Sequence, residues 1–388
     1  MQRRYDLDWL RVLAILALHV FHCGMAFNTW GWHIKNEPLT ASLDFPMAFM
    51  STWRMPLLFL ISGIGTIFAL GSRQIHGFVV ERHRRLLFPL AVGMLFVIPP
   101  QVYYERLFQG QTYSFSTFYS SLFSGVPYPE GNLSWHHLWF VAYLFVYALL
   151  SLPLLAWLKK PNNVRLTRIR AFFSVGSRIY WLFLPIALVN LSLRAYWPTR
   201  NDLIHDWANF CFHLVLFWMG LFIGTFPGIW DRIVLLRRRS LELGLITLLI
   251  LMIDDLLGVD GGYIYPVEQS LRSGLTLFWV LAILGYGRQY LSFSNRFLRY
   301  ANEGIYPFYI LHQTVIVIMG YYVIQWPLTL WPKFLILTIL SFSGTVALYE
   351  VLIRRCNFIR PLFGLKLRQT PPTESRSVSV ETQLKEAI

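Results

Sequence analysis

Long apolar segments separated by short polar ones run through the chain from end to end. We count ten, each long enough to cross about 30 Å of hydrocarbon at about 1.5 Å per helical residue. The seventh is the shortest and ends at Asp254 and Asp255. The pattern predicts an all-α polytopic membrane protein with about ten transmembrane helices, at roughly 7–27, 44–70, 86–104, 136–158, 179–197, 207–226, 241–257, 267–287, 303–324 and 334–353.

The composition agrees with a membrane protein. Only 14% of the 388 residues are charged and 55% are hydrophobic, whereas soluble proteins carry about 25% charged residues. Cys23, Cys211 and Cys356 are too few and too scattered for a disulfide framework or a zinc site, so we expect no metal. Arg11 and two histidines interrupt the first apolar segment and no small-residue cleavage site follows, so we expect no cleavable signal peptide.

The net charge of +14 is not spread evenly along the chain. If the N-terminus is cytoplasmic, 26 of the 34 Lys and Arg residues fall in the inner segments and the C-terminal tail. This is the positive-inside pattern of membrane proteins, and it argues against nucleic acid as a partner. It predicts that both termini are cytoplasmic. The outer loops hold only four basic residues: Lys35, Arg106, Arg200 and Lys333.

The domain organisation follows from the same pattern. We expect a single transmembrane domain over residues 1–368 and a polar, disordered cytoplasmic tail over 369–388. The segments 28–43 and 105–135 are the longest outer loops, and both are rich in Trp, Tyr, Asn, Ser and Gly. No internal repeat is evident, which weakens a transporter built from repeated halves.

The first span carries charged and titratable side chains, which mark function inside a membrane. Arg11 and His22 are eleven residues apart, so they share one helix face about 16 Å apart along its axis. In the alternative interpretation, Arg11 reaches the inner headgroups and His22 bonds a backbone carbonyl. His19, three residues before His22, is either its partner or a histidine of the core.

Further arginines follow. Arg54 lies in the outer half of the second span, where it must pair with a carboxylate or face a wet cavity. Arg82 and Arg85 lie one helical turn apart on the inner side, an arrangement that suits phosphate groups. On this loop alone, ordinary positive-inside charge or lipid headgroup binding is the better explanation.

Aromatic residues and histidines also concentrate near the outer surface. Trp30, Trp32 and Trp135 can stack on sugar rings, although an aromatic belt explains tryptophans there as well. His136 follows Trp135 directly, and the His136–His137 pair lacks the i,i+4 spacing of helical metal ligands. His312 in the ninth span is either a cavity-lining residue or a satisfied structural histidine, and its spacing from Glu303 puts these two on opposite helix sides.

Five pieces of sequence together resemble the acyltransferase 3 family of membrane acyltransferases. They are LDWLRVLAILALHVFH, LFLISG, RHRRLLFP, HHLWF and YPFYILHQ, and they occur in the family's order over residues 5–320. One subgroup of the family is similar to the chain in length and also lacks a fused esterase-like domain. The resemblance carries the functional pattern of the family onto Arg11, His22, Arg82 and Arg85, with His19 as an added histidine.

The resemblance implies transfer of an acyl group, succinyl or acetyl, from cytoplasmic acyl-CoA to a hydroxyl of a periplasmic glucan or other glycan. It also implies a multi-pass protein of the bacterial inner membrane, in contact with its lipids. A sugar hydroxyl needs a base, for which His22 is the natural choice. Arg11 and Arg54 can stabilise the oxyanion. The cofactor-binding residues would then be Arg82 and Arg85, and the glycan-binding residues Trp30, Trp32, Trp135, His136 and His312.

A second function class stays open at this point. A helical bundle with intramembrane Arg, His and Asp can also be a proton-coupled transporter or a flippase of a glycan or lipid-linked sugar. A transporter or flippase would not need a phosphate-binding site on its inner side, such as Arg82 and Arg85 would form. Release of free thiol from acyl-CoA distinguishes the two classes.

Overall fold

The computed structural model describes residues 3–71, 74–160, 162–257 and 265–368. These residues form helices and connecting segments, with no strand among them, so the prediction of an all-α fold is confirmed. The predicted tail, 369–388, lies outside the described residues. The α-helices are α1 (Tyr5–Met25), α2 (Asp44–Leu70), α3 (Ile75–Arg82), α4 (Phe88–Val92), α5 (Ile98–Phe108), α6 (Phe115–Ser121), α7 (Trp139–Leu150), α8 (Leu152–Lys159), α9 (Val164–Phe173), α10 (Phe183–Leu193), α11 (Trp207–Gly224), α12 (Pro227–Leu235), α13 (Arg237–Leu257), α14 (Tyr265–Tyr290), α15 (Arg296–Val323) and α16 (Leu330–Leu348).

Six helical stretches in the described part of the chain are long and apolar enough to cross a membrane. The number rises to eight if two sharply bent helix pairs, α7 with α8 and α9 with α10, each count as one span. The predicted segments 241–257 and 303–324 lie within α13 and α15, which are long helices but are not among these eight. Ten spans and cytoplasmic termini therefore stay predictions, while a multi-pass membrane protein is confirmed. The six single stretches are Tyr5–Met25, Ala41–Leu70, Ile75–Phe108, Trp207–Gly224, Tyr265–Tyr290 and Leu330–Ile353.

Helices α2 and α11 cross at two glycines. A Cβ on Gly63 would lie only 2.1 Å from the carbonyl oxygen of Phe217, and one on Gly220 only 2.0 Å from that of Leu60. Only glycine permits so close an approach of two backbones. Small residues at helix crossings are a general device of membrane bundles, where dispersion contacts replace the hydrophobic effect. This crossing fixes α2, and with it Arg54, against the rest of the bundle.

Helix α15 lies at the centre of one half of the bundle, where it packs against α1, α5 and α16. Its inner face is fully covered, and His312 has no exposed surface. Helix α1 packs against α2, α14, α15 and α16. The side chains on facing sides of α1 and α15 therefore meet inside the protein rather than in lipid.

The predicted outer loops come together at one end of the bundle. Lys35 holds the loop after α1 in place by donating to the carbonyl oxygens of Met25, Asn28 and Trp30 at 2.5–2.8 Å. Buried Lys333, at the start of α16, donates to Asn36 Oδ1 at 3.0 Å. These hydrogen bonds hold the loop after α1 in a fixed position over the end of α15.

Candidate active site

The centre of the candidate site is a pair of histidines from α1 and α15. His22 Nδ1 and His312 Nε2 are 2.9 Å apart, and the two rings stack with centroids 5.1 Å apart. His312 Nδ1 lies 2.7 Å from the carbonyl oxygen of Tyr309 on its own helix. Two residues 290 positions apart in sequence thereby form one hydrogen-bonded unit.

The partners of this pair determine which nitrogen carries each proton. A carbonyl oxygen only accepts, so Nδ1 of His312 donates to Tyr309. In the neutral ring, Nε2 of His312 then has a lone pair and accepts from Nδ1–H of His22. Nε2 of His22 is left with a free lone pair, which is the state a general base requires.

His19 has different surroundings, although it lies one turn from His22. Its Nε2 is 3.2 Å from the Thr338 carbonyl oxygen and 3.2 Å from Ser341 Oγ, both on α16. The ring is 2% exposed. His19 thus ties α1 to α16, as expected of a core histidine, whereas His22 has a titratable partner.

Arg54 is buried close to the histidine pair, with only 5% of its surface exposed. Its guanidinium carbon lies 3.7 Å from the centroid of the Phe21 ring, and its Nε and Nη1 atoms have no hydrogen-bond partner. No carboxylate among the described residues pairs with it, and Phe21, on which it stacks, directly precedes His22 in α1. A buried cation without an anion is costly, so this charge suits a site where negative charge develops.

Two more residues cover the histidine pair. Trp32 stacks over His22 at 20° and a centroid distance of 6.3 Å. His137 meets His312 edge-on at 5.2 Å, and its Nε2 lies 3.0 Å from the carbonyl oxygen of Ile310. Tyr309, whose hydroxyl donates to the carbonyl oxygen of His137, fixes the same segment to α15. The site is therefore enclosed by the outer loop and by the start of the α7 segment.

The other aromatic residues predicted to bind glycan lie further out. Trp30 is 37% exposed. The indole nitrogen of Trp135 donates to the carbonyl oxygen of Asn201 at 3.0 Å, which occupies its only donor. His136 belongs to a separate cluster with His33 and Glu105. The structure thus brings Trp32, Arg54 and His312 to His22, while Trp30, Trp135 and His136 lie around this group.

A cavity of about 640 Å³ opens at the other end of α1. Four arginines line it: Arg3, Arg4, Arg11 and Arg288. The Arg4 guanidinium stacks on Trp230 at 3.9 Å and pairs with buried Asp6 at 2.6 Å. Arg11 lies 3.7 Å from Asp8, and its side chain is 34% exposed. Asp8 and Asp231 also line the cavity, so the four arginines leave it with an excess of positive charge that fits an anionic ligand.

Arg82 and Arg85 lie elsewhere on this end of the molecule. Both are beside Glu81, with Arg85 Nε 3.2 Å from Glu81 Oε1 and Arg82 Nη2 3.7 Å from Glu81 Oε2. The Arg82 guanidinium also lies 5.0 Å from the Phe78 ring. Neither residue lines the cavity at Arg11. Of the arginines that sequence reasoning selected, only Arg11 belongs to an enclosed basic site.

Sequence reasoning missed several polar residues near the histidine pair. His33, Gln101, Glu105 and Gln313 come from three segments and contact one another above His312. One signal was present: Glu105 is an acidic residue at the end of an apolar helix, next to Arg106. The contact between these side chains depends on the conformation of the loop that carries His33. A loop conformation cannot be predicted from a periodic sequence pattern.

An all-helical bundle with several membrane-spanning helices, a buried histidine pair and a basic cavity at one end of α1 defines a multi-pass membrane protein. A family model described as "Acyltransferase domain" matches residues 4–350. The chain belongs to the acyltransferase 3 family and is a membrane acyltransferase, as its sequence motifs predicted.

The chain is similar over nearly its whole length to proteins named glucans biosynthesis protein C. The protein of Escherichia coli O81 (strain ED1a) is 22% identical over 365 residues, which cover 91% of this chain and 92% of that protein. The protein of Salmonella paratyphi B (strain ATCC BAA-1250 / SPB7) is 21% identical over 384 residues, which cover 97% of each. This is the subgroup that the sequence motifs indicated. No solved structure matches the chain.

Proposed function

We propose that this protein transfers an acyl group, succinyl or acetyl, from acyl-CoA at the cytoplasmic face to a hydroxyl of a periplasmic glucan. The observation that carries the proposal is the His22–His312 pair, in which partner geometry leaves Nε2 of His22 free to accept a proton. We also propose that the protein lies in the bacterial inner membrane. We choose a glucan as the acceptor because the relatives are named for glucan biosynthesis. The topology predicted from the sequence also puts His22 near the outer face.

The proposed reaction begins at the acceptor hydroxyl. Nε2 of His22 removes its proton while the oxygen attacks the thioester carbonyl carbon, forming a C–O bond. Arg54 stabilises the resulting oxyanion, because it is a buried cation without a carboxylate partner among the described residues. The C–S bond then breaks, and the thiolate takes the proton from His22. The products are an ester and CoA, and His22 returns to its starting state.

The donor carries phosphates and requires an anion-binding site within reach of His22. The CoA phosphates fit the cavity at Arg11, where four arginines converge. Arg11 and His22 share one face of α1, about 16 Å apart along the axis. The pantetheine arm of CoA would follow this face from the cavity to His22. The sequence predicted Arg82 and Arg85 as the phosphate-binding residues; because neither lines this cavity, we propose them as a second contact for the donor outside it.

The acceptor site lies at the opposite end of the molecule in this proposal. Trp32 stacks over His22 and the loop after α1 is held rigid by Lys35, so a sugar hydroxyl can enter between Trp32 and Arg54. Trp30 and Trp135 would form the outer part of the glycan site, and the predicted glycan-binding residue His136 would lie behind them, because its side chain is only 6% exposed.

The test uses purified protein with succinyl-CoA or acetyl-CoA and a glucan oligosaccharide. We expect release of free thiol together with a mass increase of the oligosaccharide. His22→Ala should abolish both, and His19→Ala is the matched control, because it removes a buried histidine one turn away. Retained activity in His22→Ala, or no thiol release by wild-type protein, would contradict the proposal and leave the transporter or flippase alternative.

Sidedness is measured separately in sealed proteoliposomes. Donor is added outside and the oligosaccharide is trapped inside, and vesicles that present the N-terminal face outward are selected. We expect acylation of the trapped sugar. Acylation only when donor and acceptor are on the same side would refute transfer across the membrane while leaving the chemistry at His22 in place.

A further inference from the structure

Three side chains from distant parts of the sequence meet above the histidine pair. His33 lies in the loop after α1, Glu105 near the end of α5, and His136 just before α7. One donor atom from each lies within 4.8 Å of the other two. Oε2 of Glu105 is 3.0 Å from His33 Nδ1 and 3.7 Å from His136 Nε2.

Two of these donor atoms are buried without a hydrogen bond. The side chains of Glu105 and His136 are 4% and 6% exposed, and neither Glu105 Oε2 nor His136 Nε2 makes a hydrogen bond of acceptable geometry, although Oε2 forms an ion-pair contact with His33 Nδ1. Buried polar atoms normally find a partner, and leaving them without one is costly. The other carboxylate oxygen, Oε1, already accepts from the Tyr128 hydroxyl at 2.8 Å.

The spacing of the donor atoms fits a tetrahedral metal ion. Bonds of about 2.0–2.1 Å at tetrahedral angles separate two ligand atoms by about 3.4 Å. The two separations from Glu105 Oε2, 3.0 and 3.7 Å, lie on either side of this value, and the two histidines offer nitrogens within 4.8 Å of each other. Two histidines and one glutamate are also a common set of zinc ligands, with a fourth position open to water.

Each histidine also has an outer partner for its second nitrogen. His136 Nδ1 lies 3.3 Å from Ser134 Oγ, which can accept its proton and leave Nε2 free. His33 Nε2 accepts from the carboxamide nitrogens of Gln101 and Gln313 at 3.1 and 3.0 Å, which leaves the proton on Nδ1 in the neutral ring. A 180° rotation of either carboxamide presents an oxygen to Nε2–H and frees Nδ1 for a metal. Such outer partners orient ligating histidines in metalloproteins.

We propose that His33, Glu105 and His136 bind one divalent transition-metal ion, for which Zn²⁺ is the best fit. The ion would join the loop after α1, the end of α5 and the segment before α7. It would thereby fix the cover over His22, since Trp32 precedes His33 and Gln313 follows His312. The proposal concerns binding alone and does not depend on the acyl-transfer reaction.

The experiment uses the full-length protein, purified without a polyhistidine tag and stripped with a chelator. It is dialysed against Zn²⁺ and, separately, Co²⁺, and metal content is measured by mass spectrometry without donor or acceptor present. We expect one equivalent per chain and the intense visible d–d bands of tetrahedral Co²⁺. His33→Ala, Glu105→Gln and His136→Ala should each lose this equivalent. The control His205→Ala, which removes a surface histidine 3.5 Å from Asp202, should keep it.

Two results would overturn the proposal. One is that the wild-type protein takes up no metal. The other is that all three ligand variants still bind one equivalent of metal per chain. If a variant does not fold, as judged by size-exclusion chromatography, the Co²⁺ spectrum of the wild-type protein decides. Absence of tetrahedral bands there would show that the cluster is a hydrogen-bonded ion pair and not a metal site.

Discussion

Replacement of His312 by alanine tests the central geometric argument. The change removes the atom that accepts from Nδ1–H of His22, which lies 2.9 Å away. His22 then loses its orientation and the hydrogen bond that would stabilise its protonated ring during the reaction. His312 contacts neither substrate in the proposed mechanism, so its role is that of a positioning residue.

The expected magnitude follows from the strength of that bond. A hydrogen bond to a charged group contributes about 1.5–3 kcal/mol, and each 1.4 kcal/mol corresponds to about tenfold in rate. We therefore expect kcat to fall about 10- to 150-fold in His312→Ala, with an unchanged KM for acyl-CoA. Loss of the base itself in His22→Ala should cost more, about 10²- to 10⁴-fold.

The assay measures thiol release against acyl-CoA concentration, which separates kcat from KM. His312→Gln is the informative companion, because its carboxamide can accept from His22 and donate to the Tyr309 carbonyl oxygen. We expect the glutamine variant to recover part of the lost rate at equal thermal stability. Two results would refute the positioning role. One is full activity of His312→Ala. The other is an equal loss of activity in both variants that is explained by a loss of folded protein.

Three further predictions concern other parts of the molecule. Arg54→Ala should lower kcat about 10²- to 10³-fold with unchanged abundance, measured by thiol release and immunoblot, since a buried oxyanion donor is lost. Arg11→Ala should raise the KM for acyl-CoA more than Arg85→Ala, because only Arg11 lines the enclosed basic cavity; equal increases would place the phosphates elsewhere. Gly63→Ala should destabilise the bundle by about 1–3 kcal/mol or more, read as a lower Tm in detergent, because its Cβ would meet the Phe217 carbonyl oxygen at 2.1 Å. Gly77→Ala is the matched control, with nothing within 4 Å of the new Cβ.

Local periodicity carried most of what the sequence determined. Apolar segments of membrane-spanning length predicted an all-helical, multi-pass protein, because inside a bilayer the backbone must satisfy its own hydrogen bonds. Helical spacing put Arg11 and His22 on one face of α1. It also put His312 and Glu303 on opposite sides of one helix. In the structure the partner of Glu303 is Arg360, at 3.0 Å, and not His312. The ordered motifs were sufficient to recognise the family.

Only the tertiary structure distinguished residues that the sequence left equivalent. His19 and His22 are three positions apart in one apolar helix, and the difference between them comes from α16, which binds His19, and α15, which supplies His312. The absence of a carboxylate beside Arg54 within the described ranges likewise depends on which helices surround it.

The cluster of His33, Glu105 and His136 shows the limit of sequence reasoning most clearly. Its members lie 31 to 103 positions apart in segments of irregular backbone or at helix ends. A helix fixes the direction of a side chain through a constant rotation per residue, so a face can be read from spacing. A loop has no such constant. The position of His33 depends on hydrogen bonds within its loop, such as those of Lys35, and on the long-range bond from Lys333 to Asn36, which forms only when the helices have packed.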